Sequence, residues 1–117
     1  MFSLSGCTIL VFGVSCFIAG LSTLWWPDPT LLVLDLEPSA LPAVRGNALA
    51  AVAMGIYYTL AAYQQNRVFF IATVPMRLFT TAIFWSQGWV APARWEGSAA
   101  IATALALLWE QYGYSDS

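Results

Sequence analysis

The sequence contains no histidine and no lysine, and its 117 residues include only four arginines and six Asp or Glu residues. The absence of imidazole excludes histidine-based catalysis, and two cysteines without histidine cannot form a cysteine or cysteine–histidine metal site. Four scattered arginines at a net charge of −2 form no basic patch for nucleic acid. We therefore expect no metal, no cofactor and no nucleic-acid partner.

The scarcity of charge indicates that part of the surface faces lipid. Charged residues make up 9% of the chain and apolar residues 60%, whereas soluble domains average about 25% charged residues. Four mostly apolar runs reach about the 20 residues that a membrane span needs, and they cover 4–26, 42–63, 67–86 and 92–112. The sequence predicts an all-α fold: a single transmembrane domain over 1–117 that forms an integral membrane antiparallel four-helix bundle.

The first run is interpreted as a retained span, because it has no basic start and ends in Trp25-Trp26-Pro27 instead of a cleavage site of small residues. The predicted location is a membrane, crossed several times, which is the endoplasmic reticulum if the cell is eukaryotic. Four antiparallel spans place most polar residues at one membrane face. Arg67 and Glu110 lie at the other face.

The segment 27–41 joins the first two runs and carries Asp28, Asp35 and Glu37 among prolines. Its leucines make it too apolar for a solvated linker. We expect it to lie on the membrane surface or to fold back over the bundle, and it is a candidate lid.

Arg77 is the sharpest single signal, because it lies near the middle of the third run. An arginine at that depth costs at least about 2.5–3.5 kcal/mol on insertion scales, so it is expected to face the bundle interior and to find a partner. Thr73 and Thr81 share its helix face, and Pro75 frees a backbone carbonyl nearby. The alternative is an arginine paired with a carboxylate only to fix helix register.

Polar residues also align on the second and fourth runs. Asn47 and Tyr58 share one stripe of the second helix, where Asn47 is expected to be buried and hydrogen-bonded. Glu96, Thr103 and Glu110 recur every seven residues on the fourth helix. Glu96 is expected to pair with an arginine or to be held protonated, or else to be stabilised only by the helix dipole. Glu110 is expected to be a solvated end residue.

Carboxylates, arginines, an amide and tyrosines around an apolar interior suit acid/base opening of an epoxide. The expected catalytic residues are Asp28, Asp35, Glu37, Arg45, Arg77 and Glu96. The residues expected to bind substrate or water are Asn47, Tyr57, Tyr58 and Trp85. A lipophilic small-molecule substrate would reach such a site through the membrane lipid.

Four short motifs resemble small DoxX-like four-helix membrane proteins: RGNALA at 45–50, MGIYY at 54–58, RVFF at 67–70 and PMRL at 75–78. This resemblance implies an antiparallel four-helix bundle. The chain is also similar to small membrane proteins of fungal secondary-metabolite pathways that are proposed to open epoxides or to cyclise polyketide or terpenoid intermediates. The expected function is therefore a membrane-embedded epoxide hydrolase or cyclase acting on a polyketide or terpenoid intermediate.

The alternative is a non-catalytic membrane subunit or a lipid-binding partner protein. Gly6, Gly13 and Gly20 repeat every seven residues and predict a seam of close helix packing, which is a candidate homodimer interface. Under this alternative, Arg77 and Glu96 form a structural pair.

Overall fold

The chain is helical along most of its length. A computed structural model describes the backbone of residues 2–115 and the side chains of residues 2–112. The helices are α1 (Leu4–Trp25), α2 (Asp28–Val33), α3 (Leu41–Tyr63), α4 (Arg67–Ser86) and α5 (Val90–Ser115), and a 3₁₀ turn covers Pro38–Ala40. Residues 2–115 contain no strand, so the all-α prediction is confirmed for that range.

The four long helices coincide closely with the four predicted runs. The bounds of α4 agree at both ends, and those of α1 and α3 differ from the prediction by one residue at one end. The segment 27–41 differs from a plain loop, because its first part forms the six-residue helix α2. Pro29 stands at the start of α2, where a missing N–H costs nothing.

Three helical stretches are long and apolar enough to cross a membrane: Leu4–Trp25, Pro38–Tyr63 and Arg67–Ser86. The four-span prediction is thus supported for three of its four segments. Helix α5 is the least apolar of the long helices, and it carries Arg94, Glu96 and Glu110.

Local chemistry fixes the bounds of α4. The Asn66 side chain caps its first turn by accepting a hydrogen bond from the backbone N–H of Phe69 at 3.1 Å. Gly88 follows the helix with φ +81°, a left-handed conformation that glycine adopts without steric cost. Pro75 lies inside the helix, which continues through it.

The chain divides into two compact units. The first unit comprises residues 1–10 and 60–117, and therefore contains the start of α1, the end of α3, α4 and α5. The second comprises Val11–Thr59 and contains the rest of α1, α2 and most of α3.

In the second unit, three glycines allow α1 and α3 to approach backbone to backbone. A Cβ placed on Gly20 would lie 2.7 Å from the carbonyl oxygen of Ala48, and one on Gly55 would lie 2.7 Å from that of Gly13. The Phe12 and Tyr58 rings pack beside this contact with centroids 5.3 Å apart. Two members of the predicted glycine seam, Gly13 and Gly20, therefore contact α3 of the same chain.

The third member of the seam, Gly6, lies in the first unit. A Cβ placed there would lie 3.0 Å from the Ser3 hydroxyl and 3.2 Å from the Gln65 side chain. All three glycines thus have neighbours within the chain. The homodimer through this seam stays a prediction.

In the first unit, α4 and α5 form a closely packed pair of helices joined by a three-residue turn over 87–89. Gly97 lies at a point of close approach, because a Cβ placed on it would lie 3.1 Å from the Thr81 methyl carbon. This pair of helices carries the buried charged residues Arg77 and Glu96.

Candidate functional site

Arg77 lies in the interior, as its sequence position predicts. The residue is 2% exposed and is the largest of the fully buried side chains. Its Nε donates a hydrogen bond to the Thr73 carbonyl oxygen at 3.3 Å, and its Nη2 donates one to the Thr73 hydroxyl at 3.1 Å. Thr73 itself is buried, one turn earlier on α4.

These bonds fix the orientation of the Arg77 side chain through Thr73, which lies on the same helix, α4. From the sequence, the carbonyl freed by Pro75 could bind either the guanidinium or a nearby hydroxyl. That carbonyl belongs to Ile71, four residues before the proline. The carbonyl that Arg77 contacts is the one on Thr73, whose hydroxyl supplies a second acceptor. Thr81 also follows the predicted polar stripe, and its hydroxyl donates to the Arg77 carbonyl at 2.8 Å.

Glu96 is the second buried charged residue of this unit and is 5% exposed. The guanidinium of Arg77 lies close enough to act electrostatically on the Glu96 carboxylate. The Glu96 Oε2 atom is buried and has no hydrogen-bond partner among residues 2–112. A buried carboxylate oxygen without a hydrogen-bond partner is costly, and native structures contain few such atoms.

The close approach of α4 and α5 explains how these two side chains share one interior. Gly97 follows Glu96 directly, and its lack of a side chain lets the backbone of α5 lie against Thr81. A larger residue at position 97 would separate the helices near the acid. The role of Gly97 was not predicted from the sequence, although a glycine inside a helix beside a buried acid indicates close packing.

At the other end of α5, the structure corrects the prediction for Glu110. Its side chain is 10% exposed, so it is not a solvated end residue. Its Oε1 accepts the backbone N–H of Ser5 at 2.7 Å, and its Oε2 accepts the Ser5 hydroxyl at 2.8 Å. Arg67 donates to the same Oε2 at 2.8 Å, which confirms that Arg67 and Glu110 lie at one end.

Between the two carboxylates, Thr103 connects α5 to α1. Its hydroxyl lies 2.8 Å from that of Thr8, which in turn donates to the Ser5 carbonyl oxygen at 2.6 Å. The predicted stripe of Glu96, Thr103 and Glu110 therefore faces the interior along its whole length. Thr103 and Glu110 form hydrogen bonds to the start of α1, whereas the third member is Glu96.

The second unit holds most of the other predicted site residues. Asn47 is exposed, so the prediction of a buried amide is wrong; the first turns of α3 leave that face of the helix uncovered. Arg45 is exposed as well. Tyr58 is buried against Phe12, whereas Tyr57 is exposed.

The three acids of the connecting segment, Asp28, Asp35 and Glu37, are exposed in the second unit. Trp85 belongs to the first unit and is exposed at the last turn of α4. Of the predicted catalytic residues, Arg77 and Glu96 are the pair that the structure brings together. The roles of the remaining residues stay predictions.

No group of three or more His, Cys, Asp or Glu side chains within residues 2–112 could hold a metal ion. Comparisons of the chain with protein-family models, with curated proteins and with solved structures give no match.

Chemically, the first unit offers a proton-exchanging group beside a fixed positive charge in an apolar interior. The free oxygen of Glu96 can accept a proton from a bound water or hydroxyl. The guanidinium of Arg77 is permanently charged and can stabilise negative charge that develops close by. Exclusion of water strengthens both interactions.

Proposed function

We propose that this protein is a multi-spanning integral membrane enzyme that opens epoxides of lipophilic substrates, as a hydrolase or a cyclase. The observation that carries the proposal is the buried Glu96 oxygen without a partner, held near the guanidinium of Arg77. A polyketide or terpenoid intermediate, which is soluble in the bilayer, is the proposed class of substrate.

The proposed fold is an antiparallel bundle of the four long helices within the membrane, as in DoxX-like proteins. Three apolar stretches of sufficient length support it. Helix α5 has 26 residues and is therefore about 39 Å long, more than the roughly 30 Å of a hydrocarbon core. Its buried acids would face the protein interior instead of lipid.

In the proposed reaction, Glu96 acts as a general base. It takes a proton from a water molecule, or from a hydroxyl of the substrate, as that oxygen attacks one epoxide carbon. The bond between this carbon and the epoxide oxygen breaks, and the oxygen leaves as an alkoxide. Arg77 stabilises the alkoxide charge, and the protonated Glu96 then returns the proton to it. The product is a diol from water or a cyclic ether from an internal hydroxyl, with no redox change.

The test uses purified protein in lipid nanodiscs with two probe substrates, a long-chain 1,2-epoxyalkane and an epoxide that carries an internal hydroxyl group. Reaction in water enriched in ¹⁸O distinguishes the two outcomes, because only the diol gains the label. General-base catalysis contributes about 10²- to 10⁴-fold, so Glu96→Gln is expected to lower kcat/KM at least about 100-fold.

Arg77→Lys keeps the charge but loses the planar donor geometry toward Thr73, and it is expected to lower kcat with KM little changed. Arg94→Gln is the matched control, since Arg94 is an exposed residue two positions before Glu96. Circular dichroism verifies that each variant is folded. Absence of turnover with both probes, or an active Glu96→Gln variant within a few-fold of wild type, contradicts the proposal.

The alternative function is a non-catalytic membrane subunit or lipid-binding partner protein. It is favoured by the bonds of Thr103 and Glu110, which show that the same stripe of α5 holds helices together. Under this alternative, Glu96→Gln changes the free energy of unfolding while neither probe is turned over by the wild type.

A further inference from the structure

An exposed apolar patch lies in the second unit where α1 leads into α2. Trp25 is 88% exposed and Leu32 is 81% exposed, and Trp26 and Val33 are also largely exposed. None of the six residues of α2 is buried. We call residues 25–37 the surface segment.

A side-chain contact links the surface segment to α1. The Thr23 and Thr30 hydroxyls lie 3.1 Å apart, which links α2 to the last turn of α1. The helix is therefore held beside the tryptophans, and its apolar side chains remain available for a partner.

The position of the segment along the chain indicates which partner that is. It directly follows the span-length helix Leu4–Trp25 and directly precedes the span-length stretch Pro38–Tyr63. A connection this short keeps its residues at the boundary between lipid and water. Tryptophan is enriched at this boundary because its ring is apolar and its N–H is polar.

The negative charge of the surface segment determines which lipid headgroups it can approach. Asp28, Asp35 and Glu37 are exposed, and no Lys or Arg occurs in the sequence before Arg45. Choline headgroups place a quaternary ammonium outermost, which carboxylates and tryptophan rings both attract. Anionic headgroups would repel the three acids.

We propose that the surface segment is a lipid-binding element that docks on a leaflet of zwitterionic choline phospholipid and is repelled by anionic phospholipid. The size of the effect follows from the surface potential of an anionic leaflet, about −30 mV at physiological ionic strength. That potential disfavours each carboxylate at the surface by about threefold, and three carboxylates by about thirtyfold. This element is independent of the proposed enzyme activity.

The experiment reconstitutes the full chain in vesicles of phosphatidylcholine, or of phosphatidylcholine with 30% phosphatidylglycerol. A constant fraction of phosphatidylcholine carries bromine on acyl carbons near the headgroup, which quenches tryptophan fluorescence on contact. Trp85, Trp89, Trp95 and Trp109 are replaced by Phe, so that the signal reports Trp25 and Trp26. If that variant inserts poorly, the difference between wild type and Trp25→Phe/Trp26→Phe supplies the same signal.

Strong quenching is expected in pure phosphatidylcholine. When phosphatidylglycerol is present at physiological ionic strength, the ratio of docked to undocked segment is expected to fall about thirtyfold. The Asp28→Asn/Asp35→Asn/Glu37→Gln variant removes the three charges and is expected to show less than a twofold difference between the two compositions. Absence of quenching in phosphatidylcholine, equal quenching in both compositions, or an unchanged response of the triple variant overturns the proposal. Protection of the tryptophans by a second copy would give the first of these results, together with a dimer on chemical cross-linking.

Discussion

The bonds of Glu110 allow a quantitative prediction of stability. Ser5 is fully buried and donates both its backbone N–H and its hydroxyl to the carboxylate. Hydrogen bonds to charged groups contribute about 1.5–3 kcal/mol each in soluble proteins, whereas bonds between membrane helices reach about 1.7 kcal/mol at most. The two ranges overlap near 1.6 kcal/mol per bond.

Glu110→Ala removes both bonds and takes away the acceptor of the Ser5 backbone N–H, whereas the Ser5 hydroxyl keeps the Ser3 hydroxyl 3.3 Å away. We expect this variant to lower the free energy of unfolding by about 3 kcal/mol. Ser5→Ala removes only the hydroxyl bond and is expected to cost about half as much. Arg67 is 44% exposed, and an exposed ion pair contributes about 0–1 kcal/mol, so Arg67→Ala is expected to cost at most about 1 kcal/mol.

The assay measures unfolding in mixed micelles by far-UV circular dichroism as the fraction of denaturing detergent increases. Gln111→Ala is the matched control, since Gln111 is the exposed neighbour of Glu110 and surface substitutions stay within about 0.5 kcal/mol. The reasoning is refuted if Arg67→Ala costs as much as Glu110→Ala, because the ion pair would then outweigh the buried bonds. It is refuted equally if Ser5→Ala is indistinguishable from wild type.

Substitutions at four further residues test three local features of the fold by the same unfolding measurement. Gly55→Ala places a Cβ 2.7 Å from backbone atoms of α1 and is expected to lower the free energy of unfolding by about 1–3 kcal/mol. On the same helix, a Cβ at Gly46 meets no atom within 4 Å, so Gly46→Ala is expected to raise the free energy of unfolding by about 0.5–1 kcal/mol. Equal effects of the two glycine variants would show that α1 and α3 are not in close contact. Asn66→Ala removes the cap of α4 and is expected to cost about 1 kcal/mol, most of which Asn66→Asp retains; a loss in both variants would contradict a capping role. Gly88→Ala forces an alanine into φ +81° and is expected to cost about 1–2 kcal/mol, and a neutral result would mean that the turn adopts another conformation.

The long helices could be predicted from the sequence because their signal is local. Apolar runs bounded by Pro27, by the polar residues 64–66 and by Gly88 determine where each helix begins and ends, whatever the runs pack against. The burial of Arg77 was predictable for the same reason, since an arginine in the middle of an apolar run has few alternatives to an interior position.

Residues whose environment depends on a distant part of the chain were harder to predict. Glu110 lies near a helix end, where a carboxylate is ordinarily solvated, and its burial results from Ser5, which is 105 residues away in sequence. For Asn47 the error was the opposite, because burial was predicted and the residue is exposed. An amide in an apolar run is buried only if another element covers it. In both cases the deciding neighbour belongs to another helix, and periodicity within one helix carries no information about it.

The stripe on α5 shows why spacing alone does not identify a functional residue. Glu96 and Glu110 are the same residue type on the same face of one helix, and each has an arginine on α4 near it. Glu110 directs its two oxygens to Ser5 and Arg67, so protonation would break bonds that hold α1 to α5. The Glu96 Oε2 atom has no partner among residues 2–112, so a proton can add at that oxygen without breaking a hydrogen bond. The two carboxylates therefore differ in their hydrogen bonds and not in their position in the repeat. The bonds of Glu110 indicate a packing role, whereas the unpaired oxygen of Glu96 supports a chemical one.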